Sequence, residues 1–316
     1  MSLLSLLLLP SFLQSAPFEA RFAEIEAASK GKLGVAMITP TSSHYLRRSE
    51  RFSLQSVMKL MVAMAALDTV DRGKWKLDQK YVVTRSDMSI SHQPLLDRLG
   101  KKKSITVSLA DLIELAVTRS CSASADFIIR KLGGPSAVNA FLKKNNIAGM
   151  SVDRQERDLQ TEVVGLRWKR DFIDGRRFEA AIKRQPAAAL DAAYQRYMAD
   201  PRDTTTPEAM GLLLQKLVTG KLLSPKSNRY LIGVMERTQT GTDRLRAGIP
   251  AGWKLGNKTG TSSTHRGLAW ATNDVGFARR ASGEWVVIVA LLKGSTLDPD
   301  GRAKIISRVA SASLGR

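Results

Sequence analysis

Ser56-Val57-Met58-Lys59-Leu60-Met61-Val62-Ala63-Met64-Ala65-Ala66-Leu67 is the stretch that decides the fold. It is an apolar run of helix-forming composition, and only Lys59 interrupts it. A lone lysine within a buried helix is costly unless it has partners. Because residues three apart share one face of a helix, the Ser56 hydroxyl and the Lys59 amine would lie side by side. A nearby base makes a serine a useful nucleophile, so this stretch predicts a covalent active site at the start of a helix.

The Ser-x-x-Lys pattern needs support from elsewhere in the chain, because it recurs by chance and an ordinary solvated helix also explains it. A lysine acts as a base when desolvation and a second cation lower its pKa. Lys258-Thr259-Gly260 offers such a cation in a Gly- and Thr-rich segment that reads as a strand. Alone, this tripeptide is equally typical of a strand edge or turn. A phosphate-binding loop is rejected here, because Asn257 stands where that motif requires glycine.

Ser120-Cys121-Ser122 lies between these two motifs, and the three in this order resemble those of serine β-lactamases and penicillin-binding proteins, specifically class A β-lactamases. The resemblance runs from about Phe18 to the C-terminus. Further segments that match the family in order are Leu33-Gly34-Val35-Ala36, Arg51-Phe52-Ser53, Leu132-Gly133-Gly134-Pro135, Asp203-Thr204-Thr205-Thr206-Pro207, Ile249-Pro250-Ala251-Gly252-Trp253 and Asn273-Asp274-Val275-Gly276. The apolar run Trp285–Leu292 independently predicts a buried central strand.

The resemblance implies a mixed α/β (α+β) fold with two lobes. An antiparallel sheet flanked by helices would come from about residues 17–55 and 215–316, and an all-helical lobe from about 56–214. Together they would form a single catalytic domain over residues 17–316. Residues 1–16 contain the apolar run Leu3-Leu4-Ser5-Leu6-Leu7-Leu8-Leu9, which is too short to span a bilayer and is interpreted as an export signal.

The resemblance also implies the functional residues. Catalytic roles fall to Ser56, Lys59, Ser120, Glu156 and Lys258. Substrate-binding roles fall to Ser122, Gln160, Thr259, Gly260 and Thr261. The expected reaction is β-lactam hydrolysis through an acyl-enzyme on Ser56, in which Glu156 activates the water that releases the product. Either Lys59 or Glu156 would take the Ser56 proton.

Glu156 lies in Asp153-Arg154-Gln155-Glu156-Arg157-Asp158-Leu159-Gln160, which resembles the Ω-loop segment of class A enzymes. Arg154 matches the arginine that ties this loop to an aspartate, represented here by Asp203. In isolation, Glu156 would read as a surface charge within a mixed-charge segment.

Two features depart from the family pattern. Ser122 and Gln160 stand where asparagine is usual, and Cys121 replaces a structural aspartate. A hydroxyl has a shorter reach and one donor only, so we expect weaker substrate binding, by about 1–3 kcal/mol. The longer Gln160 side chain is expected to displace the deacylating water. Activity is therefore expected to be slow or narrow.

The second departure is an insertion at about residues 161–202, some thirty residues longer than the family's compact loop, which is unlikely to lack structure of its own. Pro186 and the alanines after it predict a helix start. Leu190, Tyr194, Tyr197 and Met198 then form one apolar stripe. Asp174 is expected to cap an earlier helix that carries Phe178, Ala181 and Ile182. We expect a helical elaboration beside the active-site mouth.

Composition limits the other classes of function. With 49 basic and 29 acidic residues, the formal charge is +20, which would suit nucleic acid. The positive residues are dispersed, so no nucleic-acid partner is expected. Three scattered histidines and a single cysteine predict no metal, cofactor or internal disulfide. The expected partner is a small-molecule β-lactam, bound by a periplasmic or secreted monomer without a membrane span. Arg237, Arg244 and Arg266 are the candidates for binding the substrate carboxylate.

Two other functions remain open from the sequence. The first is a penicillin-binding protein that forms an acyl-enzyme but turns over poorly, as a D-alanyl-peptide-processing relative or a sensor. The second is a noncatalytic basic protein that binds the cell envelope.

Overall fold

The computed structural model describes residues 18–315, so the predicted export signal at residues 1–16 lies outside the described residues. The strands in this range are β1 (Lys32–Ile38), β2 (Ser43–Leu46), β3 (Phe52–Ser53), β4 (Lys80–Thr84), β5 (Ser104–Ser108), β6 (Thr204–Thr205), β7 (Lys254–Thr261), β8 (Thr264–His265), β9 (Leu268–Ala269), β10 (Thr272–Arg279) and β11 (Trp285–Lys293). The α-helices are α1 (Phe18–Ala28), α2 (Met58–Asp71), α3 (Pro94–Leu99), α4 (Leu109–Thr118), α5 (Ser122–Leu132), α6 (Pro135–Lys144), α7 (Glu156–Val163), α8 (Gly175–Lys183), α9 (Ala187–Ala199), α10 (Pro207–Val218), α11 (Pro225–Glu236), α12 (Leu245–Gly248) and α13 (Pro299–Ser313). Short 3₁₀ turns lie at Gln55–Val57, Arg85–Asp87 and Arg170–Ile173.

Segments from both ends of the chain form a five-stranded antiparallel sheet in the order β2-β1-β11-β10-β7. Strand β11 is central, as its continuous apolar run predicts. Because side chains alternate along a strand, β11 serves two cores. Val287, Val289 and Leu291 pack with the helical lobe and α10, whereas Ile288, Ala290 and Leu292 pack with α1 and α13. The predicted antiparallel sheet flanked by helices is confirmed.

The helical lobe is built around α2, which is buried over most of its length. Helices α4, α5, α6 and α11 pack around it. Its apolar side chains therefore have no solvent-facing side, which explains why the sequence of α2 has no polar stripe. The nucleophile candidate Ser56 lies where this helix meets the sheet.

The boundary between the lobes differs from the expected position near residue 215. That position falls inside α10, which packs on the sheet: a Cβ added at Gly211 would meet the Ile38 side chain at 2.8 Å and Ala36 at 3.1 Å. Helix α10 therefore belongs with the sheet it covers, and the sheet lobe resumes at Pro207.

Both helices expected in the insertion are present. Asp174 caps α8 by accepting a hydrogen bond from the backbone N–H of Arg176 at 3.0 Å. Pro186 precedes α9, in which Tyr194 and Tyr197 are buried. No residue of α8 is buried, so only α9 packs deeply against the rest of the protein.

Candidate active site

Ser56 lies on the 3₁₀ turn Gln55–Val57, which leads directly into α2. Its Oγ accepts a hydrogen bond from Lys59 Nζ at 2.8 Å. The first turn brings the two side chains together because they are three residues apart. Lys59 is only 1% exposed. The solvated-helix interpretation of the Ser-x-x-Lys pattern is therefore wrong.

Oxygen atoms from separate segments surround the Lys59 ammonium. Nζ donates to the carbonyl oxygen of Ser120 at 2.8 Å and to Oγ of Ser122 at 3.2 Å. It also lies 3.2 Å from Oε1 of Glu156. These partners compensate for burying the Lys59 charge within an apolar lobe. The sequence of α2 predicted that such partners must exist.

Glu156 is the first residue of α7 and is 1% exposed, so the surface-charge interpretation is wrong. Ser56 Oγ donates to its Oε1 at 3.1 Å. A carboxylate at this distance from a hydroxyl is within reach for proton transfer. The hydroxyl of Ser56 therefore lies between a buried ammonium and a buried carboxylate.

Asp126 of α5 holds the backbone of Glu156 and was not among the residues predicted from the sequence. It is fully buried, and its two oxygens accept hydrogen bonds from the backbone N–H groups of Glu156 at 2.7 Å and Arg157 at 3.1 Å. Burial, with the nearby Glu156 charge, raises the pKa of Asp126 to about 6. A lone carboxylate inside the apolar segment of α5 is the same signal that singled out Lys59, and applying it there would have found this residue.

Arg154 and Asp203 close the loop that carries Glu156. Arg154 Nε donates to Asp203 Oδ2 at 2.6 Å, and the backbone N–H of Asp153 donates to Oδ1 at the same distance. Both partners of the ion pair are buried. Burial raises the pKa of Asp203 although Arg154 opposes that shift. One ion pair thus joins residues 49 positions apart.

Ser120 lies between the two lysines. Its Oγ accepts a hydrogen bond from Lys258 Nζ at 3.0 Å and lies 3.4 Å from Lys59 Nζ. The φ angle of Ser120 is +55°, a left-handed conformation that is uncommon for serine. Such strained residues cluster at functional sites, and here the conformation turns both the hydroxyl and the carbonyl of Ser120 toward the lysines.

Lys258 reaches this cluster from β7, at the opposite end of the chain from Ser56. Its side chain is fully buried. Burial and the neighbouring Lys59 charge hold the pKa of its ammonium well below the ordinary value. The cation that the Lys-Thr-Gly motif predicted therefore faces the site.

The rest of β7 forms one edge of the cleft. Thr259 Oγ1 shares a 2.7 Å hydrogen bond with Thr240, and Thr261 is exposed at the strand end. Gly260 lies so close to the turn before α2 that an added Cβ would meet the Leu54 carbonyl oxygen at 2.5 Å. Glycine at this position lets the strand and the nucleophile turn approach each other.

Gln160 lies one turn after Glu156 on α7. Its Nε2 donates to Gln55 Oε1 at 3.0 Å and to Glu156 Oε2 at 3.3 Å.

Ser122 is buried at the start of α5, where its hydroxyl accepts a hydrogen bond from Lys59. Cys121 precedes it and is also buried.

Among the three candidate arginines, Arg244 is the one that hydrogen-bonds to a side chain of β7. Arg244 Nη2 donates to Thr261 Oγ1 at 2.7 Å. Arg237 is paired instead with Glu114 at 2.7 Å, and Arg266 with Asp191 at 2.5 Å. Arg244 is the cation at the end of the strand, which the sequence could not distinguish from the other two.

Residues 18–315 also bear on metal binding and on membrane insertion. Within that range, no group of three or more His, Cys, Asp or Glu side chains is arranged to hold a metal ion. None of the helices in the same range is long and apolar enough to cross a bilayer.

Comparisons with known proteins agree with this geometry. A family model described as the beta-lactamase enzyme family matches residues 17–315. Beta-lactamase CTX-M-8 of Citrobacter amalonaticus is 31% identical over 268 residues, which cover 84% of this chain and 77% of that protein. Beta-lactamase Toho-1 of Escherichia coli is 30% identical over 264 residues, 83% of this chain and 76% of that protein.

Solved structures give the same result. A crystal structure of a beta-lactamase from Chitinophaga pinensis is similar with a TM-score of 0.76 at 26% identity, covering 94% of this chain and 99% of that one. An ancestral class A beta-lactamase has a TM-score of 0.75 at 30% identity, with 94% and 98% covered.

Proposed function

The chain belongs to the β-lactamase enzyme family and is a class A serine β-lactamase, and from that premise we propose how its own residues hydrolyse a β-lactam. The observation that carries the proposal is the position of the Ser56 hydroxyl. It accepts from Lys59 at 2.8 Å and donates to Glu156 at 3.1 Å. The proposed reaction has two stages, formation of an ester on Ser56 and its hydrolysis.

In the first stage, Ser56 Oγ attacks the lactam carbonyl carbon. An ammonium only donates hydrogen bonds and a carboxylate only accepts them, so the hydrogen-bond directions favour transfer of the Ser56 proton to Glu156. Lys59 then stabilises the developing alkoxide. Backbone N–H groups of Ser56 and Thr261 would hold the carbonyl oxygen as its negative charge develops.

The carbon–nitrogen bond then breaks, and the departing nitrogen needs a proton. Ser120 would supply it, because its hydroxyl lies within hydrogen-bonding reach of Lys258 at 3.0 Å and of Lys59 at 3.4 Å. Lys258 donates a hydrogen bond to Ser120 during this step. Lys59 would replace the proton that Ser120 loses and take the one that Glu156 received from Ser56, because its Nζ lies 3.4 Å from Ser120 Oγ and 3.2 Å from Glu156 Oε1. Glu156 is therefore a carboxylate again before the second stage.

In the second stage, Glu156 would take a proton from water, and the water oxygen would attack the ester. The proton then returns to Ser56 Oγ as the ester bond breaks. Gln160 and Asp126 support this role, because the first touches the Glu156 carboxylate and the second holds its backbone. A general base in such a position typically contributes 10²–10⁴-fold.

Substrate binding would use the edge of β7. Thr259 and Thr261 offer hydroxyl donors, Gly260 permits close approach, and Arg244 provides the cation for the substrate carboxylate. Ser122 Oγ accepts a hydrogen bond from Lys59, so its one O–H remains as the donor for the substrate, where an asparagine amide would offer two donors on a longer side chain. Weaker substrate binding follows.

A second function, an acyl-enzyme former with poor turnover, is favoured by one observation. Both N–H donors of Gln160 are engaged, by Gln55 and Glu156. Only its carbonyl oxygen is free to orient a water, which would slow the second stage.

The test mixes the purified protein with a chromogenic cephalosporin and measures intact mass. We expect sustained hydrolysis that Ser56→Ala abolishes, and trapping of the acyl-enzyme by Glu156→Gln. A persistent adduct on the parent protein would instead support the second function. The absence of both an adduct and hydrolysis would exclude the two functions. If Glu156→Gln hydrolyses penicillin at the parent rate, the deacylation role of Glu156 is wrong.

We also propose that the protein acts as an exported monomer. The apolar run Leu3–Leu9 supports export to the periplasm or medium. Cell fractionation and the mass of the purified protein in solution test this; cytoplasmic retention of the whole chain or a stable dimer would overturn it.

A further inference from the structure

Helix α9 of the insertion places two tyrosines against the active-site segments. Tyr197 is buried, and its hydroxyl accepts a hydrogen bond from Gln55 Nε2. The same hydroxyl lies 2.7 Å from Ser53 Oγ. Burial raises the pKa of Tyr197 to about 12, so the phenol keeps its proton, and either hydroxyl can donate in its hydrogen bond with Ser53.

Gln55 connects this tyrosine to the catalytic carboxylate. It immediately precedes Ser56 and has a φ of +48°, a conformation that a non-glycine residue keeps only when its surroundings hold it. Its Oε1 accepts from Gln160 Nε2 at 3.0 Å, and the same nitrogen donates to Glu156 Oε2 at 3.3 Å. A chain of hydrogen bonds thus runs from the insertion to Glu156.

We propose that Tyr197 is a positioning residue for the deacylation step, and that it acts through Gln55 and Gln160 on Glu156. This inference rests on the proposed role of Glu156. The Tyr197 hydroxyl fixes the Gln55 amide with its nitrogen toward α9 and its oxygen toward Gln160. That oxygen holds Gln160 where its second N–H reaches Glu156 Oε2. The insertion is therefore part of the catalytic support.

The direction of the effect follows from the donors and acceptors. Tyr197→Phe leaves the buried Gln55 Nε2 without an acceptor, which favours rotation of the amide. After that rotation, Gln160 Nε2 would face the Gln55 N–H group instead of its oxygen and would lose that hydrogen bond. Gln160 would then no longer be held against Glu156. Acylation uses the other oxygen of the carboxylate, Oε1, which Ser56 and Lys59 contact without passing through Gln160. Deacylation should suffer more than acylation.

Tyr194 provides a matched control on the same helix. Its hydroxyl shares a 2.5 Å hydrogen bond with Ser263, and its ring stacks on His265 at 4.1 Å. It is buried like Tyr197 but makes no hydrogen bond to Gln55 or Gln160. A general loosening of α9 would affect both tyrosine variants alike.

The experiment measures acylation and deacylation rates separately for Tyr197→Phe and Tyr194→Phe by rapid quench and intact mass. Tyr197→Phe should slow deacylation by about 10- to 100-fold and accumulate the acyl-enzyme. Its kcat/KM should stay within about threefold of the parent, because kcat and KM fall together. Tyr194→Phe should keep deacylation within about twofold.

A double-mutant cycle tests the route. Tyr197→Phe and Gln160→Met should be strongly non-additive in the deacylation rate, whereas Tyr194→Phe and Gln160→Met should add. Should Tyr197→Phe fail to fold, Gln55→Met breaks the same chain from the other side. Equal loss of both rates, additivity with Gln160→Met, or an unchanged deacylation rate would overturn the inference.

Glu156→Gln separates this inference from its premise. If Glu156→Gln traps the acyl-enzyme while Tyr197→Phe behaves as the parent, only the role of Tyr197 is wrong. If Glu156→Gln turns over normally, the proposed role of Glu156 is wrong and the inference about Tyr197 fails with it.

Discussion

The two walls of the active-site cleft are held in different ways. The sheet wall, β7, carries Lys258 and pairs with β10 through continuous antiparallel register from Lys254 to Thr261. The loop wall, residues 154–203, carries Glu156 and depends on a few side chains, above all Asp126 and the Arg154–Asp203 ion pair. Regular backbone pairing fixes the first wall, whereas single side chains fix the second.

This difference separates the two stages of the reaction. Apart from Glu156, which takes the Ser56 proton, the groups that form the ester lie at the start of α2, in the turn at Ser120 and on the sheet wall. The group that hydrolyses the ester lies on the loop wall, where one substitution can shift it. Changes that slow deacylation alone should therefore come from the loop wall, and each prediction below tests that assignment.

The largest expected effect is on the stability of the loop wall. Arg154→Ala leaves the Asp203 carboxylate buried and unpaired, which should lower the free energy of unfolding by about 3–5 kcal/mol. Deacylation should slow more than acylation. Urea denaturation and acyl-enzyme mass measure the two effects. Arg202→Ala is the control, because this half-exposed arginine should cost at most about 1 kcal/mol. Equal losses of unfolding free energy in Arg154→Ala and Arg202→Ala would show that the buried ion pair does not hold the loop wall.

On the sheet wall, Lys258→Met should act on ester formation. Losing a buried cation beside Ser120 should reduce kcat/KM by roughly 10²–10³-fold. No acyl-enzyme should accumulate, because the first stage becomes limiting. Lys254→Met, at an exposed position of the same strand, should leave the steady-state kinetics unchanged. Accumulation of an acyl-enzyme in Lys258→Met would place that lysine in the second stage.

A pH dependence should report on the support of the loop wall. The pKa of Asp126 is about 6 in the folded protein, above its ordinary value of 3.8. Folding therefore favours the protonated form, and this contribution is fully present below about pH 4 and is lost as the pH rises through 6. Relative to Asp126→Asn, the parent should lose at most roughly 3 kcal/mol between pH 4 and pH 7.5.

Urea unfolding of the parent and Asp126→Asn across that range measures this difference. Asp274 also has a pKa raised to about 6 by burial, but it is present in both proteins and cancels in the comparison. A difference that does not vary with pH would show that Asp126 titrates at its ordinary pKa.

The smallest effect is expected in α8, the outer part of the insertion. Phe178 packs on Phe172 with ring centroids 5.2 Å apart, but no residue of α8 is buried. Phe178→Ala should cost about 1 kcal/mol of stability and leave both rates within about twofold of the parent. Thermal unfolding and steady-state kinetics measure this. A selective loss of deacylation would extend the catalytic support from α9 to α8.

Much of the fold was predictable because local patterns carried it. The apolar run of β11 predicted a central strand, and Asp174 and Pro186 predicted the two helix starts of the insertion. The lone Lys59 in an apolar helix predicted a buried partner. Such signals depend on periodicity and on the cost of burying charge, both of which operate within a few residues.

Other features could not be read from the sequence. Nothing near Tyr197 indicates that it contacts Gln55, 142 positions away, and its apolar stripe predicted only packing. Arg244 could not be separated from Arg237 and Arg266, because all three lie in polar surroundings along the chain. The sequence prediction placed the lobe boundary inside α10, because the apolar face of that helix could pack against either lobe.

The sequence by itself determined which chemistry the chain carries: a serine one turn from a lysine, a second lysine on a strand, and a carboxylate in a loop. Tertiary structure alone decided which side chains support that chemistry, including Asp126 beneath Glu156 and Tyr197 beside Gln55. The physical reason is range. Helix periodicity and burial act between neighbours in the chain, whereas a hydrogen bond between distant segments exists only after the lobes have packed and fixed both partners in space.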